Sequence, residues 1–87
     1  MYIICIYDIS SDNGNTVMKI CRKYLNGVQN SVFEGELTEA TYKKLKTELK
    51  NVIDKNIDSL IFYEINNIKW LKTQHMGITK NNMENII

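Results

Sequence analysis

Met1-Tyr2-Ile3-Ile4-Cys5-Ile6-Tyr7-Asp8-Ile9-Ser10 opens the chain, and Gln29-Asn30-Ser31-Val32-Phe33-Glu34-Gly35 follows it after a helical stretch. Residues 2–7 and Ile9 are all apolar, aromatic or cysteine, so the first segment reads as a core strand over 2–9. Asp8 is its one charge. A carboxylate at the mouth of such a strand is costly unless something pairs with it or binds it, which makes it a site candidate. Its other reading is a turn acid bonded to the backbone amides of residues 10–14.

Working outward, Ser10-Ser11-Asp12-Asn13-Gly14-Asn15 is a turn holding several helix N-caps. Val17, Ile20, Cys21, Tyr24 and Leu25 recur at helical spacing and predict a first helix ending near Asn26-Gly27. Val28 to Glu34 reads as a second strand. Thr38 is an N-cap followed by Glu39, where the helix dipole favours an acid, and Tyr42, Leu45, Leu49, Val52 and Ile53 mark a second helix. Ser59–Ile65 is a further strand, and Ile68–Ile78, with Trp70, is expected to form another. Met83-Glu84-Asn85-Ile86-Ile87 is too short to pack alone and is expected to add a C-terminal strand.

Read literally, the order is β-α-β-α-β-β. A short strand hidden within Val32–Leu37, split at Gly35, restores the ferredoxin-like order β-α-β-β-α-β. The fold class is α+β, an antiparallel sheet with two helices on one face, in a single domain over 1–87. Tyr2, Ile4, Ile6 and Asp8 share one face of the first strand, and Ile3, Cys5, Tyr7 and Ile9 the other. Two helices cover only one face, so the second apolar face predicts a homodimer packed sheet to sheet.

Eleven basic and ten acidic residues give a net charge of +1, which excludes a strongly basic nucleic-acid coat. Cys5 and Cys21 lie in apolar periodic segments without metal-ligand spacing and read as buried reduced thiols. No apolar run approaches the roughly 20 residues that span a bilayer, and no leader pattern precedes the first strand. The expectation is a cytoplasmic protein without membrane contact.

The Tyr7-Asp8-Ile9-Ser10 strand end, the Gln29–Glu34 motif, Asp58-Ser59-Leu60-Ile61-Phe62-Tyr63 and the apolar tail together resemble the second CRISPR-associated protein family. This is the small spacer-acquisition subunit, also described as an endoribonuclease. The resemblance implies a ferredoxin-like homodimer acting with the integrase subunit, on duplex DNA and on single-stranded RNA. It further implies Mg²⁺-dependent phosphodiester cleavage, with Asp8 as catalytic residue and metal ligand and with Ser31 and Phe33 near the site. A two-fold axis would bring two Asp8 carboxylates to one ion, which suits the one or two carboxylates that Mg²⁺ commonly takes. The chain departs from the family at Asn15-Thr16, where basic residues are expected.

Lys19, Arg22 and Lys23 on the first helix, and Lys43 and Lys44 with Lys46 and Lys50 on the second, are candidate phosphate contacts. The plainer reading is a solvated helix face. His75 is the single histidine, with no acid or nucleophile spaced to orient it. Alternatives to the adaptation nuclease are a stand-alone small ribonuclease toxin and a non-catalytic DNA-binding scaffold.

Overall fold

The computed structural model describes residues 1–78. Tyr2–Asp8 forms strand β1, Gly14–Tyr24 helix α1, Asn26–Gln29 strand β2, Val32–Glu36 strand β3, Glu39–Lys50 helix α2 and Ser59–Ile65 strand β4. The sheet order is β2-β3-β1-β4, with every neighbouring pair antiparallel, which is the ferredoxin-like arrangement. The first strand of the chain is therefore central. Cys5 pairs with Phe33 on one side and Phe62 on the other, and the β1–β4 ladder runs from Tyr2–Ile65 to Asp8–Ser59.

Both helices lie on the face carrying Ile3 and Cys5. Val17, Ile20 and Cys21 of α1 and Tyr42, Leu45 and Leu49 of α2 are the buried stripe, closing over Ile3, Cys5, Phe33, Leu25 and Leu37. Tyr42 meets Phe62 edge to face at 5.5 Å, and its hydroxyl donates to Glu64 at 2.7 Å. The Thr38 hydroxyl accepts from the Thr41 amide at 3.1 Å and starts α2, as its sequence suggested; such caps contribute about 1 kcal/mol. Cys5 and Cys21 are free and fully buried. Among the described residues no helix is long and apolar enough to cross a membrane.

Two boundaries differ from expectation. The helix α1 stops at Tyr24, where the Leu25 amide bonds Cys21 and the chain turns extended, so Asn26-Gly27 already belongs to β2. The single strand expected over Val28–Glu34 is a hairpin whose break falls at Asn30-Ser31, not at Gly35. Ser31 takes φ +67°, a left-handed conformation that costs a non-glycine residue about 1–2 kcal/mol. Its carbonyl accepts the Tyr7 amide at 3.0 Å, tying the hairpin tip to β1. Gly35 instead lies inside β3 because a Cβ there would come within 3.2 Å of Leu25 Cδ2.

The strand expected over Ile68–Ile78 is absent. Asn67 Oδ1 captures the Lys69 amide at 3.0 Å and starts a 3₁₀ turn over Ile68–Trp70, which is followed by irregular chain to residue 78. Trp70 is 81% exposed there. The strand expected over residues 83–87 lies outside the described residues.

The opposite face of the sheet carries Ile4 beside Tyr63 and Ile6 beside Ile61 as cross-strand partners. Ile6, Ile61 and Tyr63 are exposed in the single chain.

Candidate functional site

β1 ends at Asp8, where the sheet gives way to the loop leading into α1. The strand end, the middle of α1 and the β2–β3 hairpin leave a cleft of about 340 Å³ between them. Tyr7, Asp8, Arg22, Gln29, Asn30, Ser31 and Phe33 line it, with Met18 and Gly14 on the helix side. Its floor is aromatic: Tyr7 and Phe33 stack with centroids 6.1 Å apart and planes 17° from parallel. Burial pushes the Tyr7 phenol upward, so it remains a neutral donor at physiological pH.

Asp8 is exposed at the rim, and no described residue donates a hydrogen bond to its carboxylate. The turn-acid role belongs to Asp58 instead. Asp58 accepts from the amides of Ser10 at 2.8 Å and Ser11 at 2.9 Å, from the Ser11 hydroxyl at 2.6 Å and from the Asp54 amide at 2.8 Å. Partial desolvation acts to raise this carboxyl. The bonds from the Ser11 side chain and from the amides of Asp54, Ser11 and Ser10 outweigh it and hold the pKa at about 2.

The linkage follows from that direction. An unfolded Asp ionises near 3.9, so this contribution is complete above about pH 4 and is lost as the pH falls through about 2. Asp58→Asn is expected to lower the melting temperature at neutral pH and to flatten its decline between pH 4 and 2. Melts monitored by circular dichroism across that range check it; an acid limb identical to wild type would contradict it.

Arg22 is the one cation among the cleft-lining residues named above. It sits two turns past Asn15-Thr16 on α1, with its guanidinium 3.6 Å from Met18 Sδ and its side chain on the cleft. The structure thus brings together Asp8, Arg22, Ser31 and Phe33. The other sequence candidates lie elsewhere. Lys19 is exposed on α1 and does not line the cleft. Lys23 pairs with Glu48, which also accepts from the Tyr24 hydroxyl, so its charge joins α1 to α2. Lys43 and Lys44 border a separate groove with Tyr24, Ala40, Thr47 and Glu48. Lys46 sits 4.0 Å above the Tyr42 ring. His75 is half-buried and does not line the cleft. The amides of Gln29 and Asn30 and the Tyr7 ring were not singled out individually by sequence, although all three fall within the two stretches that decide the fold.

The oxygen donors among the cleft-lining side chains include the Asp8 carboxylate and the Ser31 hydroxyl, hard ligands of the kind that Mg²⁺ takes with most of its water shell retained. Among the described residues no three His, Cys, Asp or Glu side chains gather in one place. A single chain brings one carboxylate, Asp8, to this rim, a donor compatible with Mg²⁺, which is commonly held by one or two carboxylates with waters.

The family described as CRISPR associated protein Cas2 matches residues 1–73. A protein of Dictyoglomus turgidum named CRISPR-associated endoribonuclease Cas2 is 44% identical over 87 residues, covering all of both chains. One of the same name from Pyrococcus furiosus is 46% identical over 87 residues, again covering all of both chains. Among solved structures, a Cas2 crystal structure superposes with a TM-score of 0.83 at 37% identity, covering 100% of this chain and 98% of that one. The Streptococcus pyogenes Cas2 structure gives 0.71 at 31% identity, covering 86% of this chain and 100% of the other. The chain belongs to the Cas2 family of CRISPR-associated proteins.

Proposed function

We propose that this protein is a homodimeric CRISPR adaptation subunit with an Mg²⁺-dependent endoribonuclease site in the Asp8 cleft. The observation that carries the reading is a cleft at the end of β1 bordered both by Asp8, at its rim, and by Arg22, on its helix side. Similarity to relatives named endoribonuclease supports it. Each open sheet face carries apolar pairs that a second copy would cover, and Asp8 shares that face by strand alternation.

Asp8 and its symmetry mate would hold the ion, which when bound supplies an activated water and neutralises charge on the scissile phosphate. The chain's own groups do the rest. The Arg22 guanidinium, always charged, would meet the non-bridging phosphate oxygens where negative charge develops. Asn30, Gln29 and the Ser31 hydroxyl offer neutral donors and acceptors to the adjoining nucleotide.

A scaffold role beside the integrase subunit is favoured by a different observation, the exposed lysines of α2. Lys43, Lys44 and Lys50 are solvent-facing and would occur twice in a dimer. They could track the backbone of duplex DNA, each phosphate contact steepening the salt dependence by about one unit of log slope.

The test is incubation of the purified protein with labelled single-stranded RNA and duplex DNA, in Mg²⁺ and in EDTA, with the mass measured by light scattering. Two chains per particle, RNA cleavage in Mg²⁺ only and salt-sensitive duplex binding without cleavage are expected. A monomer that cleaves neither substrate overturns the nuclease reading.

A further inference from the structure

Asp8 is the last residue of the β1–β4 ladder, paired with Ser59, and nothing in the sheet continues beyond it. A residue in that position would ordinarily fray, because the next donors have no strand partner. Here they do have a partner. The amides of Ser10 and Ser11 both donate to Asp58 Oδ1, and the Ser11 hydroxyl donates to Oδ2. Oδ2 also accepts from the Asp54 amide, which holds the carboxylate within its own loop. On the other flank of Asp8, the Tyr7 amide is bonded to the Ser31 carbonyl. The loop is tied a further time where Asn13 Nδ2 donates to the Val52 carbonyl at 2.6 Å. The backbone around Asp8 is therefore pinned to two different elements within three residues.

We infer that Asp58 is a positioning residue for the Asp8 site: its carboxylate takes over from the ladder and fixes the strand end that presents Asp8. The inference rests on the nuclease reading above. Asp58 touches no reacting atom. It acts through the Ser10-Ser11 backbone, as groups behind a metal ligand do when they fix the ligand's orientation. Asp8 has no hydrogen-bonded support of its own among the described residues, so its geometry depends on this backbone clamp.

The experiment measures Mn²⁺ binding alone by electron paramagnetic resonance, as a substitute for Mg²⁺, in folded wild type, Asp8→Asn, Asp58→Asn and Ser11→Ala. Hydrogen exchange of the Ser10 and Ser11 amides is read in parallel. Asp58→Asn is expected to weaken Mn²⁺ binding about tenfold, at the lower end of the range for such supporting groups. The two amides should exchange faster, and RNA cleavage should fall through kcat rather than KM. Ser11→Ala, which leaves both backbone donors in place, should show a smaller loss than Asp58→Asn by the same mechanism. It carries the comparison if Asp58→Asn does not fold.

A purely structural role would lower the melting temperature without changing Mn²⁺ affinity at temperatures where the protein is folded. Unchanged affinity in folded Asp58→Asn, with wild type binding Mn²⁺, overturns the inference alone. Wild type that binds no Mn²⁺, or binds it no better than Asp8→Asn, overturns the nuclease reading and the inference with it.

Discussion

Asp8→Asn is expected to lower Mg²⁺-dependent RNA cleavage by about a thousandfold while leaving the melting temperature within a degree or two of wild type. The two halves of this result have separate causes. Asp8 is exposed at the strand end and accepts no hydrogen bond from a described residue, and substitutions at such places usually change stability by no more than about 0.5 kcal/mol. An Asn there keeps the size of the side chain and removes only the charge.

Catalysis loses much more. A metal ion's contribution to transition-state charge stabilisation amounts to several kcal/mol, and each 1.36 kcal/mol is tenfold in rate, so loss of the ion's anchor costs about three decades. In a dimer both anchors disappear at once. Single-turnover cleavage of labelled RNA, run beside a thermal melt, measures both halves. Cleavage by Asp8→Asn at the wild-type rate would remove Asp8 from the site.

Leu45→Ala is expected to give the largest loss of stability from a single truncation. Leu45 lies at the centre of the α2 stripe, fully buried, and belongs to the core formed by α1 and both central strands. Removing its branched end forfeits the transfer free energy and leaves a cavity, together about 3 kcal/mol. For a domain of this size that corresponds to a fall in melting temperature of about 12–24 °C. Urea unfolding at constant protein concentration, which holds any association fixed, checks the number. A loss below about 1 kcal/mol would mean that α2 does not rest on the sheet through Leu45.

The parts of the fold written in side-chain periodicity were legible in the sequence. The two faces of β1, the stripes of α1 and α2, the Thr38 cap and the 59–65 strand all follow from apolar spacing, which packing against a single core then rewards. Ser31 was not legible as a turn. A serine with positive φ carries no sequence signal, whereas Gly35 does, so the hairpin break was placed at the glycine. The glycine answers instead to the close approach of Leu25.

Trp70 looked like a strand residue because it lies among apolar neighbours. Asn67 decided otherwise by capturing the Lys69 amide. For the site, Asp8 stood out as the lone charge in an apolar strand, but the division of labour between Asp8 and Asp58 depends on contacts 47 and 48 residues apart in the chain. Arg22 was grouped with Lys19 and Lys23 as a basic face. Helical rotation separates the three, and only Arg22 reaches the cleft.

The central place of β1 has a consequence for how the chain is born. This strand is made before both of its partners, β3 and, later still, β4, whose Ile65 pairs with Tyr2. At about 5–20 residues per second, the interval between these two residues lasts about 3–13 s on the ribosome. Through that time the most apolar segment of the chain lacks one of its two neighbours. Until β4 is made, its native cover is α1 and α2 on one face and, once Glu36 has been added, the ladder with β3 along one edge. A pause in translation between Glu36 and Ser59 would prolong the period in which nascent chains on neighbouring ribosomes can pair through β1 instead.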